Sequence, residues 1–192
     1  MKEMRFFDKI RLIIVHPHKF FEEIKKEKGI KHVFNFYFVF AFFAVTINTI
    51  FNLPDIIKSK LDLPILYFLI IIFMMIVLVF ALAFAVSLFS FVFYWIYHVI
   101  IKIFNGKNNF DKTYTLLYGA TPLMIASLVP YYGAFKLIFY PLMAVALVDT
   151  AYIKYVGLQK MHKMSKENSA AAIIIGLIIG FLVIKFLKGQ FI

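Results

Sequence analysis

Asp149 falls well inside a long apolar stretch, and His98 lies at a similar depth in another. A carboxylate in hydrocarbon is costly unless it is protonated, paired or facing water, so an acid there marks a site by default. Asp149 stands five residues from Lys154, about 7 to 8 Å below a membrane boundary drawn at that lysine, and His98 stands four residues from Lys102. With Tyr118 and Tyr114 as further partners, Asp149 and His98 could form an intramembrane polar cluster. Two chemistries fit: a proton- or ion-coupled site, and a buried hydrogen-bonded pair that fixes helix packing. The packing reading is preferred.

Other reactive residue types are less suggestive. His16 and His18 are two apart at a helix start, a poor geometry for a shared metal, and no third ligand is evident. Glu22 and Glu23 are adjacent and suit a solvated face. Ser87, Ser90 and Ser127 have no base in a recognisable pattern, and serines in spans usually bond the preceding turn's carbonyl. The chain carries no phosphate-cradling glycine loop, zinc-protease motif or nucleophile elbow. Catalysis is therefore disfavoured, and no catalytic residue, cofactor or metal is expected.

The elements that must position these groups follow from composition. Apolar residues make up 63% of the 192 and charged residues 16%, and the mean hydropathy is +0.88, which excludes a soluble domain. The fold class is all-α, a polytopic membrane helical bundle. The net charge of +11 suits span ends and anionic headgroups better than nucleic acid. With no cysteine there is no disulfide, thiolate metal site, prenylation or palmitoylation.

Residues 1–31 read as an amphipathic interfacial segment. Phe6, Phe7, Ile10, Ile13 and Ile14 share one helical face, leaving Arg5, Asp8, Lys9 and Arg11 to the other. A second helix opens at His16 and Pro17, carries Phe20, Phe21 and Ile24 on one side and stops at Gly29. The apolar run Ile10 to Val15 is too short and interrupted for a signal peptide. Residues 32–192 then form the membrane domain, with spans at about 33–51, 64–101, 112–130, 135–155 and 169–184.

The run Leu63 to Ile101 holds no Asp, Glu, Lys or Arg and is about twice one crossing. Beyond Pro64 it lacks every common turn residue, so one helix of about 58 Å is expected rather than a hairpin. Charge agrees. With five crossings, the basic residues on the N-terminal side number nine, three and four in its three segments, against five opposite; splitting the run gives twelve against nine. The expected topology is five spans, N-terminus cytoplasmic and C-terminus outside, in the cell membrane. The surplus length should emerge around Phe89 to Phe104 on the cytoplasmic side, covered by the Phe6 to Ile24 helices. Asn105 to Asn109 forms a turn, Pro122 kinks the third span with Thr115, Thr121 or a neighbour compensating the freed carbonyl, and Gly157 to Asn168 forms a basic loop. Ala172, Gly176 and Gly180 repeat at four-residue spacing as a helix-packing face, within the monomer by default and in a homodimer as the alternative.

Pro17, Lys19, Phe20 and Phe21, then Tyr114, Tyr118, Gly119 and Pro122, then Gly157, Leu158, His162, Ser165 and Ala170 together resemble the Yip domain family, the Ypt/Rab GTPase-interacting membrane proteins and their prokaryotic relatives. The resemblance covers nearly the whole chain and implies the same five-span, N-inside arrangement. It also implies organisers of vesicle traffic that bind prenylated Rab GTPases through longer cytosolic N-termini. Only about thirty residues precede the first span here, and the Lys- and Ile-rich, Cys-free composition reads as prokaryotic, so Rab binding is not carried over. The leading functional expectation is a non-catalytic membrane organiser or scaffold that binds anionic headgroups or a partner protein at its cytoplasmic face. The alternative is a small transporter or channel with Asp149, Asn48 and Thr121 along a path.

Overall fold

The computed structural model describes residues 4–27, 29–58, 65–131 and 133–187. The polar connector expected up to Asp62, and the residues Lys2, Lys28, Tyr132 and Lys188, lie wholly or partly outside them. The described elements are helical: α1 (Phe6–Val15), α2 (Pro17–Ile24), α3 (Lys31–Lys58), α4 (Ile65–Ile103), α5 (Phe110–Thr115), a 3-10 turn (Leu116–Ala120), α6 (Thr121–Ala126), a second 3-10 turn (Gly133–Phe135), α7 (Lys136–His162) and α8 (Lys166–Leu187). Four of these helices are long and apolar enough to cross a membrane: α3, α4, α7 and α8.

Pro17 separates α1 from α2. A proline pushes the residue before it out of the helical region, and His16 sits at φ −137°, ψ 63° while Pro17 opens the new helix. The apolar faces of both helices turn into the protein, not into lipid alone. Ile13, Phe20, Phe21 and Ile24 are fully buried, and Phe6 packs on Phe36 and Phe40 of α3. Only Phe7, Ile14 and Val15 of α1 keep an exposed apolar edge.

The long run is one uninterrupted helix of 39 residues, as expected, with no hairpin. Its hydrophobicity is nearly uniform around the axis, so hydropathy cannot say which face looks inward. Size and polarity do: the buried positions Val79, Ala83, Ser87, Ser90, Tyr94, Tyr97 and Ile101 recur every three or four residues. Ser87 and Ser90 bond back to the carbonyls of Ala83 and Ser87, the habit expected of serines in a span. The helix ends on a Schellman motif, with Asn105 left-handed at φ 62° and the Gly106 amide donating to the Ile101 carbonyl at 2.8 Å. The expected cover for its Phe89 to Phe104 segment is corrected. α5 supplies it through Phe110 and Tyr114 against Phe91, and α8 supplies it through Gly176 against Tyr97, whereas α1 and α2 pack chiefly on each other, α6 and α7.

The third expected span, 112–130, is also corrected: it is not a continuous helix. Pro122 cannot donate to the Tyr118 carbonyl, a loss worth ~3 kcal/mol inside a helix, and the chain tightens into the 3-10 turn Leu116–Ala120. Thr121 Oγ1 then donates to that carbonyl at 2.6 Å, the compensation anticipated from sequence. The broken segment is buried, with Tyr114, Leu116, Tyr118 and Thr121 at 0% exposure. It still runs from one end of the bundle to the other. Thr113 lies beside His98 and His162, while Ser127 meets Asn48 and Phe135 meets Phe51 at the far end.

α7 continues to His162, so the basic loop expected from Gly157 shrinks to a turn through left-handed Lys163. Gly157 does not terminate a helix; it admits neighbours. A Cβ there would stand 2.6 Å from Leu116 Cδ2 and 2.8 Å from Phe21 Cζ. Ser165 caps α8, its Oγ accepting from the Asn168 amide at 3.2 Å.

Candidate functional site

The polar groups expected to meet in the membrane do not do so. Asp149 is exposed on α7 and has no hydrogen bond or ion pair with a described residue. Because α7 extends to His162, Asp149 lies thirteen residues from the helix end, about 20 Å deep rather than near a boundary. His98 bonds instead to Thr113, Nδ1 to Oγ1 at 2.6 Å. Thr113 Oγ1 in turn lies 3.2 Å from His162 Nε2, so one hydroxyl bridges two imidazoles and can donate to only one of them. Tyr114 faces Ser90 of α4 at 3.4 Å, and Tyr118 belongs to a different group.

That group gathers at the end of the bundle where α1, α2, the start of α3, the end of α7 and the start of α8 converge, here called the basic end. Lys9 Nζ donates to Glu27 Oε2 at 2.8 Å and to the Tyr118 hydroxyl at 3.4 Å. His32 Nδ1 is 3.2 Å from the same hydroxyl and 3.6 Å from Glu27 Oε2. The side chains of Lys9, Glu27 and His32 are only 8%, 11% and 12% exposed. Phe20 and Phe36 pack edge-on against the Tyr118 ring, which shields the ion pair from water and locks α1 and the Glu27 loop onto the 3-10 turn. A second tie joins α2 to α7: Lys160 Nζ donates to Glu22, and this contact holds the Glu22 carboxyl below its ordinary range.

Outside these clamps the basic end presents charge. Arg11, Lys19, Lys25, Lys107, Lys163 and Lys166 are all exposed, and Lys112 reaches across to the Lys25 carbonyl.

Most of the residues that carry the sequence resemblance meet in this region, whereas Lys19, Ser165 and Ala170 are exposed. Phe20 touches Tyr118, Phe21 and Leu116 close on Gly157, and a Cβ at Gly119 would stand 2.8 Å from Lys154 Cγ. Pro17, Pro122, Leu158 and His162 are buried around them. A family model described as Yip1 domain matches residues 11–187. The chain belongs to the Yip1 domain family. No curated protein and no solved structure matches it. The Yip1 match begins inside α1, so α2 lies wholly within the family domain, and Ile13, Phe20, Phe21 and Ile24 belong to its core.

Sequence reasoning missed Lys9, Glu27, His32, Thr113 and Lys154. Lys9 reads as part of the solvated face of α1, yet it stands four residues before Ile13, on the same side of the helix. Lys154 reads in sequence as a boundary marker. The apolar residues Tyr155, Val156 and Leu158 that follow it show that the helix interior continues.

Proposed function

We propose that this Yip1 family membrane protein is a non-catalytic organiser, with its basic end on the cytoplasmic side binding anionic lipid headgroups or a partner protein. The observation that carries this reading is the seating of α1 and α2. Their apolar faces and Lys9 are held in the bundle, which leaves the exposed lysines and arginines of α1, α2, the α4–α5 turn and the α7–α8 turn on one rigid end. A charged face held in register concentrates anionic headgroups at about 1 kcal/mol per basic residue near the surface. The N-terminus is then cytoplasmic and the C-terminus outside, in a cell membrane. The transporter alternative has less support, because Asp149 faces away from the bundle and the broken helix at Pro122 is packed with Tyr118, Leu116 and Thr121.

The test is lipid composition around the protein extracted in polymer nanodiscs. Anionic lipids should be enriched over the bulk membrane, and K19E, K25E, K107E and K163E together should abolish the enrichment. An unchanged lipid profile in that variant refutes the lipid reading; a protein that co-purifies with the wild type and is lost from the variant supports the partner form.

A further inference from the structure

Lys154 is the least explained cation of the bundle. It lies eight residues before the end of α7, about 12 Å along the axis. Its ammonium stands over the Tyr94 ring at 5.4 Å from the centroid, and no carboxylate or hydroxyl of a described residue bonds it. Its stem passes over Gly119, where a Cβ would come within 2.8 Å, and its head lies against α4 at Tyr94. There it lines a groove of about 530 Å³ between α3 and α4, whose other walls include Tyr37, Val86, Phe89 and Ser90. It also lines a cavity of about 370 Å³ toward α8, beside Gly176 and Thr150. Both are apolar apart from these few groups and are of the size that holds a small molecule.

An unpaired ammonium in such a place is expensive, and the group that offsets it must bring a negative charge and an apolar body. We propose that the groove beside Lys154 binds a membrane fatty acid, its carboxylate against the ammonium and its acyl chain along the apolar wall between α3 and α4. The charge count favours a carboxylate over a phosphate monoester. Among the described residues of the lining Lys154 is the one cation, which matches a monoanion and leaves a dianion half compensated. Ser90, Tyr37 and Tyr94 supply the other polar side-chain groups of the lining among the described residues. The site is separate from the basic face, since Lys154 is part of the span and not of the exposed end.

The test is equilibrium binding of oleate to the full chain in a non-ionic detergent, with oleyl alcohol and oleoyl lysophosphatidate as the other two probes. The wild type should bind one equivalent of oleate at least tenfold more tightly than either. K154Q should lose that preference, K154R should keep it, and A85F, which fills the groove without touching the charge, should weaken oleate binding. The four-site charge reversal of the basic face should leave oleate binding unchanged. Equal binding of oleate and oleyl alcohol, a preference for lysophosphatidate, full binding by K154Q or A85F, or loss of binding in the charge-reversed protein would each overturn the site.

Discussion

Single atoms decide several of the contacts in this bundle. A Cβ at Gly176 would stand 2.7 Å from Tyr97 Cε2, and Tyr97 is held on the buried stripe of α4; at Gly180 the nearest atom is Phe93 Cζ at 4.0 Å. The two glycines belong to one sequence repeat but differ in what they touch. G176A should therefore lower stability by about 1–3 kcal/mol through overpacking. G180A should leave it unchanged or raise it by about 0.5–1 kcal/mol, since alanine restricts the unfolded chain. Thermal unfolding of the two detergent-solubilised variants separates them. The Lys9–Glu27 pair makes a second residue-scale prediction. E27Q strands the Lys9 ammonium beneath Phe20 and Tyr118 and should cost about 3–5 kcal/mol, whereas K9M with E27Q removes both charges and should recover most of that loss. Equal losses in the single and double variants would show that the pair is not shielded.

Among the elements, α4 was the most legible. A turn needs residues that tolerate its backbone, and the stretch after Pro64 has none, so one helix followed from the absence of any place to fold back. Spin labels at Phe73 and Val99, both exposed, should lie about 39 Å apart at 1.5 Å per residue. The chain has no native cysteine to remove first. A distance below half of that value would mean a hairpin. The third passage was the least legible element. Its hydropathy matches a span, and Pro122 announces a distortion, but sequence alone does not say whether a proline bends one helix or divides it. The division into α5, a 3-10 turn and α6 depends on Phe20, Phe36, Phe21 and Gly157 closing on the same few residues from other helices. The same limit applies to the site. Asp149 and His98 look equally deep only if Lys154 marks the boundary. But α7 runs on to His162 and sets Asp149 about 20 Å from the helix end, and hydropathy also leaves the helix rotation undetermined. α7 turns Asp149 outward while Thr113 meets His98.

The molecule as a whole is a bundle whose core gathers at one end. The motif residues of α2, the 3-10 turn and α7 form that core, and the exposed basic residues surround it. Hydropathy and charge made the membrane class and the long helix readable; the number of continuous spans was not, because a stretch broken at Pro122 carries the same hydropathy and charge pattern as a continuous helix. We propose that the broken segment crosses the membrane and so leaves α7 antiparallel to it. Labelling with a membrane-impermeant thiol reagent tests this directly, using K107C before the segment and A134C after it, both exposed positions. In intact cells A134C should label and K107C should label only after the membrane is opened. Labelling of the two positions from the same side would show that the segment does not cross.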